Sequence, residues 1–482
     1  MISNVDSEAA GNGDDLSSLG DASPMDDADA TQQQAQQAQL ARMKQCRSTV
    51  QKYCSISFVA IYILVYFSLS SNPKVVLVSS NYQYDVHMAA AEGSRPALGV
   101  NAVNAVNATA EQRAKMRNDH LQQVASTIAR EYEPVSPSTW CIDGRLKFEQ
   151  AKRRPMGLCY VKVPRAASST LVGINVRIAR NFAARQGLRS CIRHDGPTPG
   201  FYYRQREPGL SFLWTFVRDP TSRAMSRVAS NAAKNQLELP AVRQTNETSH
   251  LEKTTTYVLG TLQSSNDAQF GTISQGMGGF QLQYTSMRLI EEYSSWNAPE
   301  PTKVHDARRT QHTVREIFDR YDFIGVVERF DESLVALQLI LGLTTSDILY
   351  FSSRMPNQYV GQQIPGRNDL FCQPLLDPRV LRTPKVEQYL VSTPWWAQHY
   401  GDHLLHEAAS QSLDQTIMKI GLEEFSKAYK TFRSMLQAAR QMCHPIFPCS
   451  TNGTDQSVKA EDDCYFEDIG CGYPCLDQMP AQ

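Results

Sequence analysis

The chain has 482 residues, with 48 Lys and Arg against 49 Asp and Glu and a formal net charge of −1. Such a length holds one large domain with appendages. A balance this close to zero argues against a surface built as a whole to grip nucleic acid, so no nucleic-acid partner is expected.

Compositional bias is concentrated at the start. Residues 1–40 are rich in Asp, Ser, Ala and Gln and poor in large apolar side chains. They bury too little surface to offset chain entropy and are expected to be disordered. Tyr53 to Ser71, YCSISFVAIYILVYFSLSS, runs nineteen residues without a charge, about the length that crosses a bilayer core as a helix. Arg42, Lys44, Arg47 and Lys52 precede it and Lys74 is the one close cation after it. The positive-inside rule then keeps residues 1–52 cytosolic and places the remainder across the membrane, as a single-pass type II signal anchor of the secretory pathway.

The sequons at Asn107, Asn246 and Asn452 all follow that segment, as do nine of the eleven cysteines. Cys443, Cys449, Cys464, Cys471 and Cys475 crowd the tail. That pattern suits disulfides in an oxidising lumen. Zinc is the rival reading, but CHPIFPC and CGYPC do not make a pair of C-x-x-C clips, so no metal is expected. Nine is odd, which leaves at least one thiol unpaired or bridging chains.

Residues 72–138 read as a luminal stem, with a polar helical run from Ala108 to Glu131 closed by Pro134 and Pro137. The globular part is expected over 139–442, followed by a Cys-rich segment over 443–482. Its organising stretch is Gly157 to Phe182, GLCYVKVPRAASSTLVGINVRIARNF. Leu158, Tyr160, Val161 and Val163 predict a buried strand, and Leu171, Ile174, Ile178 and Phe182 recur at helical spacing. A strand entering a helix through a Ser/Thr-rich turn aims free backbone N–H groups and the positive helix end at one point. Lys162 and Arg165 lie in the same turn, more charge than a structural N-cap at Ser168, Ser169 or Thr170 calls for. The absence of glycine between Lys162 and Thr170 argues against an ATP- or GTP-type phosphate loop.

A loop with Cys191 and His194 leads to a second strand, Ser211 to Val217, which ends in RDPTSRAMSR and a further helix. Arg218 at the strand end and Ser226 within that helix can reach one anion together. The alternative is a helix capped by Asp219. Parallel strands joined through helices place ligands at such ends, so the fold expected is α/β with a parallel sheet. Residues 236–308 are polar; GMGGF (276–280) reads as a turn, within acceptor-side loops. Tyr321 to Leu343 predicts a strand, a turn at Phe330-Asp331 and an apolar helix. Ile348 to Phe351 predicts another short strand, and His403 to Met442 a helical region broken at Gly421.

These segments resemble Golgi sulfotransferases that use 3′-phosphoadenosine 5′-phosphosulfate (PAPS), and among them most closely the galactose-3-O-sulfotransferase family, which includes the galactosylceramide enzyme. KVPRAASSTLVGINVRIARNFAARQGL is similar to that family's K-T-H-K-x-x-[GS]-[ST]-T loop and helix. RYDFIGVVERFDESLVALQLILGLTTSDILYF is similar to its FDESL segment, and HLLHEAASQSLDQTIMKIG to its closing helices. RDPTSRAMS is nearer the R-D-P-x-x-R-x-x-S form of the heparan sulfate 2-O enzymes. The resemblance implies a P-loop NTPase-like sulfotransferase fold with a central parallel sheet, a helical C-terminal part and a small Cys-rich tail.

It further implies a Golgi enzyme with PAPS as co-substrate and a galactose-containing glycolipid or glycan as acceptor. Lys162, Arg165, Ala166, Ala167, Ser168, Ser169 and Thr170 would take the 5′-phosphosulfate, and Arg218 and Ser226 the 3′-phosphate. Pro164 stands where the family has His and Arg165 where it has Lys. Because Arg keeps its proton, Lys162 becomes the candidate for a proton-sharing role. His194 and Glu207 are the candidates for the base that takes the acceptor's proton, with His312 a third. Two rival readings are a luminal glycosyltransferase and an inactive binding protein of the same fold. The first, if metal-dependent, needs a D-x-D pair that the sequence after Ser71 lacks.

Overall fold

The computed structural model describes residues 110–143, 154–196, 198–234, 248–263, 279–287, 307–352, 359–363, 370–443, 449 and 473–479. The acidic N-terminus, the apolar segment from Tyr53 to Ser71 and the three sequons lie outside them. No helix among the described residues is long and apolar enough to cross a membrane.

Four parallel strands form the central sheet: β1 (Gly157–Val161), β2 (Arg193–His194), β3 (Ser211–Val217) and β4 (Phe323–Val326), in the order β2-β1-β3-β4. Every residue of β1, β3 and β4 is buried, which is why these stretches read as continuous apolar runs rather than alternating ones. Gly157, at φ +77°, opens β1 where an added Cβ would stand 2.1 Å from the Ile192 carbonyl oxygen. Only glycine lets β2 approach so closely there.

The helices are α1 (Ala110–Ser126), α2 (Pro137–Trp140), α3 (Ser168–Arg185), α4 (Pro220–Lys234), α5 (Thr248–Gln263), α6 (Phe280–Thr285) and α7 (Ala307–Arg320). They continue with α8 (Phe330–Leu341), α9 (Pro384–Leu390), α10 (Thr393–Gln398), α11 (Tyr400–Ile420), α12 (Leu422–Met442) and α13 (Tyr473–Asp477). A separate antiparallel ribbon pairs β5 (Tyr359–Gln363) with β6 (Leu370–Pro374). The α/β class, the strand–helix units and the break at Gly421 agree with the sequence reading.

Helix α3 packs on the sheet through Leu171, Ile174, Ile178 and Phe182, each at most 5% exposed. Burying such side chains contributes about 1.5–3 kcal/mol apiece. Inside that contact, Asn175 Oδ1 accepts from Trp214 Nε1 of β3 at 3.1 Å, which ties the first helix to the second long strand. On the outer side of α3, Arg177 donates to the Leu349 and Ser346 carbonyls and to Asp477. Arg185 forms a two-pronged pair with Asp347 at 2.9 and 2.6 Å.

Those anchors account for one correction. Ile348 to Phe351 do not form the expected strand: Thr345–Ile348 is a 3₁₀ turn and 349–351 have no regular structure. Thr344 and Asp347 close it with a reciprocal capping box, and the Ser346 and Leu349 carbonyls are taken by Arg177 instead of a neighbouring strand.

A second correction concerns the stem. Within the expected stem, Leu121, Ala125, Ile128 and Tyr132 join the main core, as does Trp140 just beyond it. The Arg130 and Tyr132 N–H groups donate to Ser412 and Thr416 of α11 at 2.9 Å each, and the Val135 N–H to the Ile340 carbonyl at 2.9 Å. Three disulfides, Cys141–Cys191, Cys372–Cys449 and Cys443–Cys475, join the edges and the tail. Cys159, in the middle of β1, is the free thiol among the described residues; Cys464 and Cys471 lie outside them.

Candidate functional site

The chain leaves β1, goes out to β2, and returns past β1 to lay β3 on its other side. The strand order thus reverses between β1 and β3, and in open parallel sheets the crevice beyond the carboxyl ends at such a point is where ligands sit. Lys162 follows β1 and Arg218 follows β3, so both turns start at that end of the sheet.

The first turn is held in an unusual shape. Arg165 has φ +70° and Ala167 φ +54°, a region that costs side-chain-bearing residues energy and persists where the surroundings enforce it. The Ala166 N–H closes a turn on the Val163 carbonyl at 3.2 Å. Helix α3 starts at Ser168 with Ala167 as N-cap and no side-chain cap, so its positive end is not closed by a carboxylate or hydroxyl from the cap residue.

The second turn grips the first. Arg218 Nη1 donates to the Arg165 carbonyl at 3.2 Å, and Arg165 Nη2 donates to Ser230 Oγ on α4. Ser230 is one helical turn beyond Ser226, so Arg165 reaches the α4 face that carries Ser226. Asp219 accepts from the Ser222 N–H at 2.7 Å and caps α4. The simple reading of Asp219 therefore holds, while Arg218 and Arg165 do more than a cap requires.

Arg218 itself is fixed by a residue the sequence did not mark. Gln281 of α6 accepts from the Arg218 N–H at 2.8 Å and donates to its carbonyl at 2.7 Å, like a further strand neighbour. Helix α6 is held by Asp402 of α11, whose Oδ1 accepts from the Leu282 N–H at 2.8 Å. Asp402 comes so near that a Cβ at Gly279, φ +129°, would stand 2.1 Å from its carboxyl carbon. The last glycine of GMGGF thus lets Asp402 close on the start of α6, which in turn sets Arg218.

Charge is lopsided here. Arg165, Arg218, Arg223 and Arg227 surround the turns. Burial, then Arg223 and Arg165, pulls Arg227 down to about 10. Burial lowers Arg218 and Arg223 as well, with Glu328 and Asp402 respectively opposing. Arg223 lies over the Phe280 ring at 4.4 Å, and its Nε and Nη1 are buried without a hydrogen-bond partner. Burial pushes the Asp402 carboxyl up to about 6 despite Arg223 and its backbone donors.

Helix α11 and the residue before it contribute three histidines on one face, His399, His403 and His406, at spacings of four and three. Both His399 ring nitrogens and His403 Nε2 are buried and unpartnered. Burial, then Arg223 and His403, holds His399 down at about 3; burial, opposed by Asp219 and helped by His406, holds His403 at about 4. Glu328, just past β4, accepts from the Asp219 N–H at 3.1 Å, meets His406 Nε2 at 3.1 Å, and stands 3.8 Å from Arg218 Nε.

The expected bases are elsewhere. His194 packs edge-on to Tyr203 at 6.0 Å and bonds the Met156 backbone. Met156 precedes β1, whereas Lys162 follows it. Burial lowers His194. Glu207 precedes β3, is substantially exposed and pairs with Arg154 at 3.6 Å. Arg218 lies beyond the other end of that seven-residue strand, roughly 20 Å of extended chain away. His312 is exposed on α7. The structure thus unites Lys162, Arg165 to Thr170, Arg218 and the Ser226 helix, and separates Glu207 from them. This chain matches no family model, no curated protein and no solved structure.

Proposed function

We propose that this protein is a membrane-anchored, luminal sulfotransferase of the Golgi that moves a sulfuryl group from PAPS to a hydroxyl of a galactose-containing glycolipid or glycan. The reading rests on the P-loop-like sulfotransferase resemblance of the two turns. The observation that carries it is the direct contact of Arg218 with the Arg165 carbonyl, amid four clustered arginines. A partly buried excess of positive charge at a strand-order reversal suits a ligand with phosphates at both ends.

In this reading Lys162, the Ser168–Thr170 helix start and the strained 165–167 turn hold the phosphosulfate, and Arg218 with Ser226 holds the 3′-phosphate. The acceptor oxygen attacks sulfur in line and loses its proton to a base. The bond from sulfur to the 5′-phosphate oxygen breaks, and adenosine 3′,5′-bisphosphate (PAP) leaves with the electron pair. Lys162 and the helix N–H groups stabilise the charge growing on that oxygen. In this reading neither His194, bonded to the Met156 backbone before β1, nor Glu207, paired with Arg154 before β3, is taken as the base.

The test is transfer from radiolabelled PAPS to a panel of galactosides by the full-length chain. A labelled galactoside is expected, with loss in Lys162→Ala and Arg218→Ala. A wild type that binds PAP yet labels no acceptor would be the inactive binding protein instead.

A further inference from the structure

The contact between Glu328 and Arg218 raises a question of charge. Glu328 lies two residues past β4, against the turn that follows β3. It receives the Asp219 N–H at 3.1 Å and stands 3.8 Å from Arg218 Nε. A phosphate drawn to Arg218 therefore arrives beside a carboxylate already within ion-pair distance of that guanidinium, whose Nε is buried without a hydrogen-bond partner. Two anions sharing one guanidinium repel unless a proton arrives with the second. His406 Nε2, 3.1 Å from the same Oε2 that receives the Asp219 N–H, is the group placed to take it, and imidazole is the side chain that changes charge in the neutral range.

We propose that Glu328 and His406 form the proton-accepting part of this anion site: a phosphate settling on Arg218 is accompanied by a proton on His406, so affinity for a phosphate-bearing ligand rises as pH falls. With the proton the pair is neutral; without it the pair carries one negative charge against the ligand. The inference rests on the reading of this edge as a phosphate site and says how that site is tuned.

The other charged neighbours do not substitute for the pair. On α11, His403 is held neutral by burial, down at about 4, and Asp402 is turned to the α6 N–H groups. Between β3 and α4, Asp219 is committed to the α4 cap, while Arg218 and Arg223 stay charged. Beyond β4, Arg329 is paired with Glu332 at 2.6 Å and Asp414 at 2.7 Å.

The experiment is titration calorimetry of the full-length chain with PAP between pH 6 and 8, in buffers of differing ionisation enthalpy. His406→Gln keeps a hydrogen-bonding group beside Glu328 but cannot take the proton, and Glu328→Gln removes the charge that calls for one. The ligand's own phosphates and Asp402 titrate in all three proteins, so the difference between wild type and variant is what is read. Wild type is expected to gain about tenfold more affinity from pH 8 to 6 than either variant, and to take up about half to one proton more on binding. A purely structural role would shift affinity equally at every pH, and melting curves check that the variants fold. Equal pH slopes and equal proton counts in wild type and in a folded variant overturn the inference alone. Absence of PAP binding at every pH overturns the phosphate-site reading beneath it.

Discussion

Arg218 shows how a single residue becomes an instrument. Its backbone is bracketed by Gln281 and its side chain reaches the Arg165 carbonyl, so its guanidinium is aimed before any ligand arrives, and little ordering cost remains for binding. Gln281→Ala removes both backbone hydrogen bonds and leaves buried groups unmatched. A loss of about 1–3 kcal/mol in urea unfolding is expected, together with weaker PAP binding. An unchanged affinity would mean that the bracket does not set the arginine. Gly279→Ala acts one step further back, since its methyl group would overlap the Asp402 carboxyl. At a positive φ and with no room, about 2 kcal/mol or more of stability should go, read as a lowered melting temperature.

At the scale of elements, α11 brings a buried polar face against α4 and α6, and its titration predicts how stability responds to acid. His399 and His403, held at about 3 and about 4, stay neutral in the fold while the unfolded chain takes protons below about 6.5. Their contribution is therefore lost as pH falls through that range. Asp402, raised to about 6, works the other way, because the fold keeps a proton that the unfolded chain releases. Two histidines outweigh one carboxyl, so these three groups together should take away about 1.4 kcal/mol of stability per pH unit as pH falls from 6 to 4. His399→Phe, which keeps a ring against Trp395, should flatten that slope. A slope of the same steepness in urea titrations of the variant would contradict it.

Much of this scale was legible in the chain. Buried strands announce themselves as apolar runs, and the α3 and α8 helices as periodic ones, because burial and period are local properties. The Thr344–Asp347 spacing also carries a capping-box signal, which marks a 3₁₀ turn over Thr345–Ile348 ahead of the apolar stretch that reads as a strand. The 399, 403, 406 spacing with Asp402 was a further signal. Gln281 gave none, since its role depends on a contact 63 residues away in sequence. The misplacing of Glu207 has the same origin: spacing places a residue near a strand but does not tell which end faces the ligand.

At the scale of the molecule, disulfides and ion pairs fasten the periphery to the first helix of the site. Cys443–Cys475 holds the tail, and Asp477 within it receives Arg177 and Asn181 of α3. Cys141–Cys191 closes a 50-residue separation that encloses β1, the turn after it and α3. Cys141→Ser with Cys191→Ser should lower stability by about 2–5 kcal/mol, and mild reduction should weaken PAP binding along with the melting temperature. Binding that survives full reduction unchanged would show the anion site to be independent of these clamps.

The central claim is that the turns after β1 and β3 hold opposite ends of one doubly phosphorylated nucleotide. Calorimetric titration of the full-length chain with PAP tests it most directly, alongside Arg218→Ala, Ser226→Ala and Lys162→Ala. The account predicts one PAP per chain, weakened about tenfold or more by each substitution because each removes a charge-assisted contact. A chain that ignores PAP and instead binds a nucleotide-sugar with a divalent cation would contradict it.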